Sequence, residues 1–141
     1  MRLKVLFDNC TSPIYASTLN GFISHYGHSA VHISNLEGLP NGRNSTDLEW
    51  IEYLRSSGFV WSFITGDGRV LKNAAERAAL RSAGLHGFVL APAYQKTAHN
   101  HVASNLLWHW PEMQRLTEIL SAPSMHEVPM QRSSKLRSLP L

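Results

Sequence analysis

Apolar and polar positions along the chain fall into short runs that switch between strand-like and helix-like periods. Leu3 to Phe7 is a compact, mostly apolar segment that reads as a strand. It gives way to the polar stretch Asp8-Asn9-Cys10-Thr11-Ser12-Pro13, where Pro13 suits the first turn of a helix capped by Thr11 or Ser12. Tyr15, Leu19, Phe22 and Tyr26 then recur at helical spacing until Gly27, which can end the helix. Ser29 to Ile33 reads as a second strand. Glu37 to Asn44, with Gly38, Pro40 and Gly42, reads as a turn-rich loop.

A second helix is predicted from Asp47 to Arg55. Thr46 and Glu49 have the spacing of a capping box, Leu48, Ile51 and Leu54 make an apolar face, and Gly58 follows as a stop. Phe59 to Ile64 is aromatic and branched, the composition of a buried strand, and it runs into the turn Thr65-Gly66-Asp67-Gly68. A third helix is expected from Val70 to Ala83, with a stripe of small residues (Ala74, Ala75, Ala78, Ala79) suited to close packing on a sheet. Gly84 stops it, and His86 to Leu90 is a fourth strand. A last helical region runs from Thr97 to Leu120, with a break or restart expected at Trp110-Pro111. The remaining stretch, Ser121 to Leu141, holds three prolines with Arg132, Lys135 and Arg137. It reads as a basic tail without a packed core, outside a domain of residues 1–120.

Strands alternating with helices predict an α/β fold, a mostly parallel sheet covered on both faces in three layers. Composition is compatible with this: 141 residues and 43% hydrophobic residues suffice for one core without disulfides, and the single Cys10 cannot form an internal bridge. No apolar stretch long enough to span a bilayer occurs, and the first residues lack signal-peptide architecture, so a cytoplasmic protein is expected. A formal charge of +3 leans towards an anionic partner such as RNA.

Only three aspartates occur, and each stands where chemistry can be done. Asp8 follows the first strand directly and Asp67 follows the third. With the strand order 2-1-3-4, these two strand ends flank the crevice where such sheets bind ligands. Asp47, opening the helix between strands two and three, can reach the same edge. Three carboxylates meeting there need a cation, and oxygen donors at an open site suit Mg²⁺ or Mn²⁺. Thr65, two residues before Asp67, shares its side of the strand and can bond a carboxylate or a metal-held water. Taken singly, each aspartate also has a structural explanation: Asp47 favours a helix start, Asp67 a turn between glycines, and Asp8 a remote cap.

The segments Val5-Leu6-Phe7-Asp8-Asn9, Ser45-Thr46-Asp47 and Phe63-Ile64-Thr65-Gly66-Asp67 together resemble the PIN-domain pattern, with greatest likeness to short PIN-like proteins related to VapC-type toxins. The helix around Lys72 to Arg77 and the strand Gly87 to Leu90 are placed as in that family, and the resemblance extends over residues 1–120. It implies an α/β/α sandwich, Mg²⁺- or Mn²⁺-dependent RNA cleavage and pairing with an antitoxin protein, as the toxin of a type II pair. By motif position, Asp8, Asp47 and Asp67 would be the metal ligands and catalytic acids, with Thr65 as the T-x-D threonine. Two departures stand out. Gly68-Arg69 follows Asp67 where relatives often carry a further acid, and Asn9 occupies a position that is often acidic. Glu49 or Glu76 could stand in for the absent carboxylate.

Arg69 and Lys72, just past Asp67, are candidates for holding substrate phosphates, with Asn9 as a further substrate contact. The histidines do not assemble a zinc pattern: His99 and His101 fall on different helix faces, and there is no cysteine set to join them. Trp108, His109 and Trp110 could stack on bases, but packing between helices accounts for them as well. Neither a G-x-S-x-G elbow nor a phosphate loop occurs. The alternatives to a ribonuclease are a PIN-like binding module without turnover and a phosphoacceptor receiver-like domain. The latter is disfavoured because Lys96 lies well beyond the fourth strand. A homodimer is the other assembly left open.

Overall fold

The computed structural model describes residues 2–141. Its frame is one six-stranded sheet: β1 (Lys4–Phe7), β2 (Ser29–His32), β3 (Trp61–Thr65), β4 (His86–Leu90), β5 (Ser124–Val128) and β6 (Arg137–Leu139). The spatial order is β2-β1-β3-β4-β5-β6, parallel from β2 to β5 and antiparallel at β6. The expected order 2-1-3-4 is thus present and continues by two strands. The helices are α1 (Pro13–Ile23), α2 (Asp47–Ser56), α3 (Ala74–Ala83) and α4 (His99–Ile119). Among the described residues no helix is long and apolar enough to cross a membrane.

Side-chain alternation along the strands sorts the core into two layers. Val5, Phe7, Ile64, Phe88, Leu90 and Val128 face α1 and α4. Leu6, Phe63, Val89 and Met125 face α2 and α3, against Trp50, Ile51, Leu54 and Leu80. Both faces are therefore buried, as a parallel sheet requires. Gly87 on β4 is a place where this packing forbids a side chain: a Cβ there would stand 2.3 Å from both Met125 Sδ and Phe63 Cζ.

Several expectations are corrected. Residues past 120 are not an unpacked tail, because β5 extends the parallel sheet beside β4 and buries Met125 and Val128 completely. The sheet therefore crosses the boundary expected at residue 120. The last helix runs unbroken through Pro111, although the proline removes one backbone donor, since Leu106, Trp110 and Met113 are buried on either side of it. In α1 the buried face is Tyr15, Ala16, Leu19 and Ile23, while Phe22 and Tyr26 stack edge-on outside it. In α2 the face is Trp50, Ile51 and Leu54, and Leu48 is exposed. The segment from Val70 to Ala83 is split: a 3-10 turn, Gly68–Leu71, precedes α3, and Asn73 starts the helix afresh by accepting a hydrogen bond from the Glu76 N–H at 3.0 Å.

Candidate active site

The sheet brings the first and third strand ends together because β1 and β3 are direct neighbours, with Phe7 paired to Ile64. One residue further, the Asp8 N–H donates to the Ile64 carbonyl at 3.2 Å, which fixes where the Asp8 side chain starts. Asp8, Asp47, Thr65, Asp67, Arg69 and Lys72 all line one open cavity of about 550 Å³ at this edge, and Glu76 lines it too. The connection from β2 to β3 passes through α2 on the opposite face from α1, so this edge is the point where the chain reverses its winding.

Asp8 is buried, 5% exposed, and its Oδ1 accepts from the Cys10 N–H at 3.1 Å. Burial, aided by the negative charge of Asp47, pushes its pKa up to about 6, although bonds from the Thr65 hydroxyl and from the Cys10 and Gly66 backbone pull the other way. The Thr65 hydroxyl also accepts from the Asp67 N–H at 3.2 Å and lies 3.2 Å from the Asp67 carbonyl. With one proton, it serves Asp8 or that carbonyl at any instant.

Asp47 is the first residue of α2, held by the Thr46–Glu49 capping box, and its Oδ1 accepts from the Trp50 indole N–H at 2.9 Å. A buried indole thus aims this carboxylate. Glu76, in the first turn of α3, lines the same wall as Asp47. Burial first, then the charge of Asp47 and a hydrogen bond to it, raise the Glu76 pKa.

Asp67 is differently placed. Its Oδ1 accepts from the Arg69 N–H at 2.9 Å and its Oδ2 from the Arg69 guanidinium, and these bonds, with the charges of Arg69 and Lys72, hold its pKa below the ordinary carboxylate range. The Cys10 thiol beside the cavity is pushed up to about 11 by burial and by the charges of Asp8, Asp67 and Asp47, so it is no thiolate nucleophile.

Two of the sequence candidates do not join the cavity wall. Asn9 is exposed and its amide donates to the Arg43 carbonyl, tying the loop that leads into α2 to the end of β1. Glu49 is occupied by the capping box and by Asn41, whose amide donates to it at 2.6 Å. Of the two glutamates that could replace the missing acid, Glu76 is therefore the one on the wall. Its signal was the Asn73-x-x-Glu76 spacing, a helix-start pattern that puts Glu76 in a first turn.

The donor set fits a hard divalent cation. It is all oxygen, it is crowded with like charge, and two of its carboxyls carry raised pKa values that a cation would relieve. Among the described residues, no group of three His, Cys, Asp or Glu side chains stands as a ready-made metal cluster. Both Asp67 carboxylate oxygens are occupied by Arg69 in this arrangement.

Comparison with known proteins gives one match. The family model described as a PIN like domain matches residues 3–92, well over half of the chain, and spans Asp8, Asp47, Thr65, Asp67 and Glu76. Neither the curated proteins nor the solved structures contain a match.

Proposed function

The chain belongs to the PIN-like domain family, and from this premise we propose that its acidic cavity is a metal-dependent ribonuclease site that hydrolyses RNA phosphodiesters. The observation that carries the reading is the single cavity that gathers Asp8, Asp47, Asp67 and Glu76 at the strand ends, with Arg69 and Lys72 on its wall. Bound Mg²⁺ or Mn²⁺ would supply water activation and charge neutralisation at the phosphate. Asp8, Asp47 and Glu76 would hold the cation, with Asp67 joining once Arg69 lets go. Thr65 orients the Asp8 carboxylate from below. Arg69 and Lys72 bind the non-bridging phosphate oxygens as charged donors. Hydrolysis breaks one P–O bond to ribose, and the departing ribose oxygen takes up a proton as water adds to phosphorus.

Cleavage of single-stranded RNA by the purified protein with Mg²⁺ or Mn²⁺ tests this, compared with Asp8→Asn and Asp67→Asn. Loss of at least about a hundredfold in both variants is expected. Undiminished cleavage in both would sink the reading.

The likeness of the motifs to VapC-type proteins supports a finer reading, the toxin of a toxin–antitoxin pair held silent by a partner over this cavity. Expression should then arrest growth, and Asp8→Asn should relieve the arrest. One observation favours a second reading, a PIN-like binding module without turnover: Arg69 already neutralises Asp67. Under that reading Mg²⁺ would leave the melting temperature unchanged.

A further inference from the structure

Beside the acidic cavity lies a second one of about 250 Å³, and Cys10 lines both. The wall between them is a tight contact of the β1 and β3 end loops. A Cβ at Gly66 would stand 2.5 Å from the Cys10 carbonyl oxygen, so these loops meet only because residue 66 has no side chain. The Gly66 carbonyl accepts from the Gln95 amide at 3.2 Å across the second cavity.

The two cavities differ in chemistry. The second has no aspartate, glutamate, lysine or arginine in its lining; it offers Ser12, Tyr15, Gln95, Thr97 and His99. Tyr15 and His99 meet edge to face, with ring centroids 5.5 Å apart, and form one rigid corner. Gln95 spends one N–H on Gly66. Among the described residues its Oε1 and second N–H have no other hydrogen bond, leaving a donor and an acceptor side by side. No acid, lysine or arginine in this lining offers a fixed charge to a phosphate or cation, and a purely apolar group would strand the Gln95 amide. A flat ring with a donor and an acceptor along its edge pairs with the free Gln95 groups and lies against the Tyr15–His99 corner, and unpaired bases are recognised by ring contact combined with edge hydrogen bonds of this kind.

We propose that this cavity is a base subsite, which takes the unpaired nucleobase adjoining the phosphodiester in the acidic cavity. This rests on the nuclease reading for the identity of the neighbouring phosphate. Gln95 reads the base edge, and Tyr15 with His99 forms the ring contact. A base-paired nucleotide cannot enter, because its edge is already occupied.

The test is fluorescence anisotropy of labelled single-stranded RNA octamers, each with one abasic position, with Ca²⁺ in place of Mg²⁺. Wild type, Gln95→Ala and His99→Ala are compared; both side chains are exposed, so the fold is kept. One abasic position should weaken wild-type binding about tenfold, and both variants should lose that position's effect. A hairpin stem should bind at least about tenfold more weakly than the single strand. The proposal is overturned by an even penalty across all abasic positions, by variants that keep the wild-type pattern, by equal binding of the stem, or by wild type that binds no RNA. The two readings fail separately: the abasic pattern with no cleavage in Mg²⁺ removes the nuclease and leaves the subsite, whereas cleavage without the pattern does the reverse.

Discussion

Removing the Asp8 charge should stabilise the metal-free protein, even though the same change should abolish its chemistry. Asp8 is 5% exposed and its carboxyl is lifted from 3.8 to about 6, chiefly by burial. At 1.36 kcal/mol per pH unit this corresponds to about 3 kcal/mol. The sign follows from linkage. The folded state binds this proton more tightly than the unfolded chain, so the associated stability is fully present below about 3.8 and is lost as pH rises through about 6. The side-chain amide introduced by Asp8→Asn can still accept from the Cys10 N–H but brings amide hydrogens that need acceptors. The 3 kcal/mol is therefore an upper bound, and a gain of at least about 1 kcal/mol is expected. Urea unfolding in EDTA at a series of pH values measures it. The variant should be the more stable above pH 6, with the gap closing towards pH 4. Absolute stability also falls in acid, because burial lowers the pKa values of His86, His109 and His126, so the comparison is made on the difference between the two proteins. Equal stability at pH 8, or a gap that widens on acidification, would refute the reasoning.

Glu76→Gln should shrink the rise in melting temperature that Mg²⁺ produces and slow RNA cleavage at least about tenfold, whereas Glu49→Gln should leave cleavage within about twofold, since Glu49 caps α2 away from the cavity. Arg69→Ala should weaken RNA binding in Ca²⁺ and reduce the slope of log affinity against log salt by about one, read by anisotropy across a KCl series; an unchanged slope would remove Arg69 from the phosphate contacts. Truncation after Leu120 should cost at least about 4 kcal/mol, because it strips the fully buried Met125 and Val128 from the sheet; calorimetry showing a native-like transition in the truncated chain would contradict this. Gly87→Ala should destabilise by about 1–3 kcal/mol in urea unfolding, because its Cβ would overlap Met125 and Phe63.

The central strands were legible because burial on both faces leaves continuous apolar runs. The positions of Asp8 and Asp67 followed from them, since a residue directly after a strand inherits that strand's place in the sheet. What was hidden depended on partners distant in sequence. β5 is five residues between Pro123 and Pro129 and carries Ser, His and Glu, so it resembles a linker until β4 supplies the adjacent ladder. Pro111 looks like a break in isolation, but packing on both sides of it holds the helix together. Glu76 looks like one more charge on a solvated helix. Only the capped restart at Asn73 turns it towards Asp47, and that restart is a local signal outweighed by the longer apolar stripe around it.

The arrangement of charge gives Arg69 two mutually exclusive partners. In the metal-free protein its guanidinium neutralises Asp67, while the other acids of the cavity are left short of positive charge: burial lifts the pKa of Asp8, and burial and the nearby Asp47 charge lift that of Glu76. On the proposed reading a cation supplies that missing charge and competes with Arg69 for Asp67. The guanidinium released in this way becomes available to a phosphate at the moment the carboxylates are neutralised, so metal and RNA should bind with positive coupling. Reciprocity then requires RNA to tighten Ca²⁺ by the same factor by which Ca²⁺ tightens RNA, and calorimetric titration in both orders measures the two factors. In Arg69→Ala the exchange has no guanidinium to release, so the coupling should fall towards unity while Ca²⁺ binding itself strengthens. Coupling that survives the substitution intact would show that Arg69 is a counter-ion to Asp67 alone.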